Sequence, residues 1–201
     1  MTSSLISSVK KRITENNPGW CFSYTDFADI ENYDAIRQTL SRLHKIGFIR
    51  RLTKGVYYFP RYHDKLGELP PTINAIIDAM QRAYSIKCQP SGAYAANLLG
   101  LSEQVPARIV ILTDGPSKTI KIDNKVITFK KTVPRNMATA GTITGLIIQA
   151  IKFLGKENIT DQQISHLKNR LSDDDINELK QKAYLAPAWI AKLIKSELVG
   201  G

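Results

Sequence analysis

Residues 33–59, YDAIRQTLSRLHKIGFIRRLTKGVYYF, switch from one hydrophobic period to another. That switch limits what the chain can fold into more than any other feature. At about 100° per residue, Ile36, Leu40, Leu43 and Ile46 fall on one stripe, with Ala35 and Thr39 beside it, the spacing of an amphipathic helix. Asn32 is placed to cap its start and Gly47 to end it, because glycine enters the left-handed region without a Cβ clash. Beyond the glycine, residues 48–52 and 56–59 flank Thr53-Lys54-Gly55, which predicts a hairpin with a basic turn.

The opposite arc of the helix carries Asp34, Arg37, Gln38, Ser41, Arg42 and Lys45. Most of these side chains can hydrogen-bond base edges or phosphate oxygens. Upstream, Leu5, Ile6, Val9 and Ile13 recur at helical spacing, and Asn16-Asn17-Pro18-Gly19 breaks the chain before a short strand at Trp20-Cys21-Phe22. Ser23 then caps a predicted short helix whose Tyr24, Phe27, Ala28 and Ile30 face inward. Helix, strand, helix, helix and basic hairpin together read as a winged helix-turn-helix over residues 1–62. In that geometry the second long helix enters the major groove of double-stranded DNA, while Arg50, Arg51 and Lys54 hold the flanking backbone.

The charge supports this partner. The net charge is +10, and residues 1–65 hold 11 Lys/Arg against 6 Asp/Glu, whereas from residue 156 onward the two balance at 7 each. A cationic excess concentrated away from the tail suits a polyanion bound by the earlier parts of the chain. Cys21 and Cys88 are isolated and His44, His63 and His166 scattered, so no zinc or other metal site is expected. The cysteines read as buried free thiols of a reducing cytoplasm. The longest apolar run, residues 143–154, is interrupted by Thr144, Gln149 and Lys152 and is too short to span a bilayer.

Pro60, Gly67, Pro70 and Pro71 punctuate a polar stretch, predicting a linker over 63–71 and a second domain over 72–201. That domain reads as mixed α/β, for an α+β chain overall. Helices are predicted over 72–85 and 93–99, a strand over 108–112, and a small antiparallel hairpin at 119–122 and 126–129 about Asp123-Asn124. From about residue 142 the tail is helical, and Asp173, Asp174 and Asp175 supply N-terminal capping charge.

Two stretches give the chain a resemblance to a known family. IRQTLSRLHKIGFIRRLTKGVYYFP at 36–60 and PSGAYAANLLGLSEQVPARIVILTDGPSKTIKI at 90–122 resemble the AbiEi-type proteins, antitoxins and transcriptional regulators of bacterial type IV abortive-infection toxin–antitoxin pairs. The resemblance implies an N-terminal domain that represses its own operon at promoter repeats. It also implies a C-terminal domain that counters a nucleotidyltransferase-like toxin without requiring a stable complex. It implies no catalytic residue and no cofactor.

Two other readings remain open on the residues alone. Asp114, Asp123 and Lys125 superficially match the acid, acid and lysine of metal-dependent nucleases, although Asp123-Asn124 serves equally well as a hairpin turn. Alternatively, the chain is a plain winged-helix regulator whose second domain binds a ligand or protein, with Tyr94, Asn97, Leu98 and Leu99 as candidate lining.

Overall fold

The computed structural model describes residues 2–200, a mixed α+β chain in two compact units. One runs through Ile86 together with Ile120–Asp123, and the other comprises Lys87–Thr119 and the chain from Asn124. Among the described residues no helix is long and apolar enough to cross a membrane.

The first unit begins with α1 (Thr2–Glu15), β1 (Cys21–Ser23), a 3-10 turn (Tyr24–Phe27) and α2 (Tyr33–Lys45). It continues through β2 (Arg50–Thr53), β3 (Val56–Tyr58), β4 (Arg61–His63), β5 (Gly67–Leu69) and α3 (Ile73–Tyr84). β1, β3 and β2 form an antiparallel sheet in that order, with Cys21 opposite Tyr58 and Arg51 opposite Tyr57. Val9, Ile13, Phe22, Phe27, Ile36, Leu40, Leu43 and Ile49 make the core on which α1 and α2 pack. Phe22 and Phe27 meet edge to face at 5.6 Å between ring centroids, an arrangement that aromatic quadrupoles favour. Burial in this unit pushes the Cys21 thiol up to about 12 against the attraction of Arg82, so it stays protonated at neutral pH.

Three expectations change here. Ile46 is 68% exposed rather than inward, because it is the C-cap and the chain leaves helical geometry at Gly47, φ +74°. Ala28 is exposed, and the expected short helix is one 3-10 turn; at three residues per turn Tyr24 and Phe27 eclipse and Ala28 lies beyond them. The stretch expected as a linker instead closes into the β4–β5 hairpin, and the helix after it belongs to this unit. The reason is a set of polar anchors. Arg82 on α3 donates to Asp26 and to the Cys21 carbonyl at 2.8 and 2.9 Å, and Ile76, Ile77, Ala79 and Met80 are buried.

The remaining strands are β6 (Cys88–Ser91), β7 (Arg108–Thr113), β8 (Lys118–Ile122) and β9 (Lys125–Lys131), in the sheet order β6-β7-β9-β8. The sheet is mixed where a small antiparallel one was expected. β8 turns back into β9 through Asp123-Asn124, which places β9 beside β7 and parallel to it. β6 was not foreseen; its Pro90 has no N–H to donate, which an edge strand tolerates.

The helices of the second unit are α4 (Gly92–Leu98), α5 (Pro134–Met137), α6 (Ile143–Leu154), α7 (Asp161–Lys168), α8 (Asp173–Lys182) and α9 (Ala188–Leu193), with a π turn over Ile194–Leu198. α6 is the central helix, and Ile147, Ala150 and Ile151 on it are buried with Ala95, Leu167, Leu179 and Ile190. Capping decides where the tail helices start. Thr160 with Gln163 and Ser172 with Asp175 form reciprocal capping boxes. Bonds from the Ser172 backbone and then its hydroxyl hold the Asp175 carboxyl below its usual range.

Gly145 shows how closely α6 is approached. A Cβ there would lie 2.1 Å from the Thr139 carbonyl oxygen and 2.6 Å from Gln89 Oε1. The same Gln89 oxygen accepts from the Gly141 N–H at 3.2 Å. The segment after α5 is thereby seated on the first turn of α6, which only glycine permits.

Candidate nucleic-acid interface

α2 is built as its sequence predicts. The Asn32 side chain accepts from the Ala35 N–H at 3.1 Å, and Ile36, Thr39, Leu40 and Leu43 are buried. Burying that stripe forces the remaining positions outward. Arg37, Gln38 and Ser41 then face the β2–β3 hairpin across a groove of about 360 Å³, whose far wall is Arg51, Lys54, Gly55 and Tyr57. Tyr33 closes one end, half-exposed, with the Arg37 guanidinium 5.7 Å from its ring.

The nine expected contact residues are therefore distributed unevenly. Arg37, Gln38, Ser41, Arg51 and Lys54 line one groove. Asp34, Arg42 and Lys45 are exposed on α2 outside its lining. Asp34 pairs with Arg37 at 3.8 Å, but both side chains are well exposed, and such a pair holds little energy against competition. Arg50 is held within the unit. Its guanidinium donates to the Gly47 carbonyl and the Tyr62 hydroxyl and pairs with Glu68 at 2.8 Å. Glu68 also accepts from Tyr58 at 3.1 Å, and burial followed by that bond pushes the Tyr58 hydroxyl pKa upward.

The sequence reveals the glycine turn of the hairpin but not the contact that holds it. Gly55, φ +80°, forms the hairpin turn, and the Tyr84 hydroxyl at the end of α3 donates to the Lys54 carbonyl at 2.7 Å. α3 thus fixes the turn that presents Lys54. Tyr33 carried a readable signal, an aromatic at the first position of a helix whose neighbours on that face are polar. His44 lies against Tyr57, 6.0 Å between ring centroids, as a boundary residue.

The nuclease constellation does not assemble. Asp114 follows Thr113, which is paired with Lys131, while Lys125 precedes Val126, which is paired with Arg108. Asp114 and Lys125 are thus a strand length apart, about 20 Å at 3.3 Å per residue, and Asp114 accepts from the Lys87 N–H at 2.8 Å. Among the described residues no three His, Cys, Asp or Glu side chains gather as a metal site. Tyr94 and Leu99 are buried around α4, Leu98 is half-buried, and Asn97 donates to the Ser102 carbonyl at 3.0 Å.

Residues 8–179 match the model of a family of unknown function, DUF6088. No curated protein matches the chain.

Proposed function

We propose that this chain, which belongs to the DUF6088 family, is a DNA-binding transcriptional regulator that reads double-stranded DNA with α2. In this reading residues 1–62 are a winged helix-turn-helix, α2 the recognition helix and β2–β3 the wing. One observation carries it: Arg37, Gln38 and Ser41 on α2 share a groove with Arg51 and Lys54 of the hairpin, and no carboxylate lines it. A phosphate strand entering that groove would meet three cations at once, while Gln38 and Ser41 retain the donors and acceptors that distinguish base edges.

The resemblance of residues 36–60 and 90–122 to AbiEi-type proteins extends the proposal. The DNA is then the chain's own promoter, the regulator an autorepressor, and its functional counterpart a nucleotidyltransferase-like toxin encoded beside it. No catalytic role is proposed.

The test is retardation of the chain's own promoter fragment across a salt series. Each cation that neutralises a phosphate contributes about 0.9 to the slope of log K against log salt. The triple variant Arg37→Ala/Arg51→Ala/Lys54→Ala should lower that slope by roughly three and weaken binding at low salt by about a hundredfold. Equal affinity and slope in the triple variant would sink the assignment of this groove. A wild-type protein that failed to retard the fragment at low salt would sink the regulator itself.

A further inference from the structure

We propose that the second unit holds a binding site for a small organic anion, a compact apolar body bearing one carboxylate or phosphate group. The site is a cavity of about 220 Å³ between α5, the middle of α6 and the segment before α9. Arg135 and Lys152 reach it from two sides, and Asn136, Thr139 and Gln149 add hydrogen-bonding groups. Ile148, Leu185 and Pro187 form its apolar wall.

The decisive side chain is Gln149. It is only 8% exposed, and its carboxamide makes no hydrogen bond to the described residues, although its atoms are not sealed from the cavity. Thr139, 5% exposed, leaves its hydroxyl in the same condition. Solvent in the cavity reaches both groups, so neither is sealed without a partner, and a ligand that displaces that solvent must reproduce its hydrogen bonds. Two such groups directed into one cavity have a function when a polar ligand completes them. Arg135 and Lys152, which form no ion pair within the described residues, determine that ligand's charge, because a carboxylate or phosphate between them gains two charge-assisted contacts.

Volume determines its size. A dry cavity of about 150 Å³ accommodates benzene, and drug-sized ligands need about 300–1,000 Å³. The cavity here suits one ring or a short chain with its anionic group and is too small for a dinucleotide. The construction is rigid, since the Thr139 carbonyl against Gly145 and the Gly141 bond to Gln89 fix one wall onto α6.

The test uses the full chain with benzoate, phenyl phosphate and benzyl alcohol, the last being a neutral molecule of similar body. Benzoate or phenyl phosphate should shift the backbone amide resonances of residues 135–152 and 185–187 saturably, and the stronger of the two identifies the head group. Benzyl alcohol should not. Arg135→Gln/Lys152→Gln, both at exposed positions, should weaken binding at least about tenfold. The groove variant Arg37→Ala/Arg51→Ala/Lys54→Ala should bind the anion as wild type does, which separates this site from the DNA proposal. The site is overturned if neither anion saturates by about 10 mM, if the shifts map elsewhere, or if the Arg135/Lys152 variant binds unchanged.

Discussion

The groove beside α2 and the cavity beside α6 both gather arginine and lysine without a carboxylate in the lining, yet they treat those cations differently. In the groove, Arg37, Arg51 and Lys54 are exposed on an open surface. An exposed cation loses nothing by waiting in water, and its binding energy comes largely from counterions released by a polyanion. In the cavity, Arg135 and Lys152 stand at the margin of a recess lined by the mostly buried Gln149 and Thr139. That arrangement serves only a ligand small enough to enter. A count of charges does not distinguish a polymer surface from a small-molecule site; the enclosure of the polar groups beside the charges does.

The largest expected effect breaks the cavity side of this contrast. Gly145→Ala places a methyl 2.1 Å from the Thr139 carbonyl oxygen, so the segment bearing Thr139 must lift from α6. Overpacking against backbone should cost about 3 kcal/mol, and at about 2–4 °C per kcal/mol the melting temperature should fall by roughly 6–12 °C. Below the lowered transition, anion binding should be lost while promoter retardation persists. A variant melting within about 1 °C of wild type would show that the α5 segment yields freely, and the rigidity ascribed to the cavity would be gone.

Much of the architecture could be read from local pattern, and its failures share one cause. α2 and its hairpin were legible because a 3.6-residue stripe, a glycine stop and a basic glycine turn are all encoded within 27 consecutive residues, 33–59. The acidic start of α8 at Asp173, Asp174 and Asp175 was equally local. β6 escaped because Cys88-Gln89-Pro90-Ser91 neither alternates nor excludes a turn, and only its pairing with β7 makes it a strand. The fates of Arg50 and Arg51 also escaped. They are adjacent and chemically identical, and what separates them is Glu68, 18 positions downstream in a hairpin taken for a linker. The cavity was wholly invisible, because its walls come from residues 135–139, 148–152 and 185–187 and no spacing in the sequence links them.

That adjacent pair gives the next prediction, which sharpens the groove side. Arg51→Gln should reduce promoter affinity about fivefold at low salt and lower the salt slope by about one. Arg50→Gln should leave both unchanged, because its guanidinium is held by Glu68, Gly47 and Tyr62. Its cost should appear in stability instead, at about 1 kcal/mol or a fall of roughly 2–4 °C. Fluorescence anisotropy on the promoter fragment and a thermal melt separate the two outcomes. Equal loss of DNA affinity in both variants would mean that the Glu68 contact opens on binding and the distinction between the two arginines fails.

The smallest effect concerns a charge that the second unit uses internally. Burial disfavours the Glu178 carboxylate, but bonds at the first turn of α6, including the Thr144 N–H at 3.3 Å, and the attraction of Lys182 outweigh it and hold its pKa below the usual value. A depressed carboxyl pKa stabilises the fold above the unfolded pKa, about 4.3 for glutamate, and this contribution disappears as pH falls through the folded pKa. Glu178→Gln should therefore melt about 1–3 °C below wild type at pH 7. The two curves should converge as the pH drops below about 4, because the wild-type carboxyl is then protonated and resembles the amide. Melting curves at half-unit pH steps read the gap directly. A gap that stayed constant down to about pH 2.5 would assign the loss to packing, leaving Glu178 with no electrostatic part in seating α6.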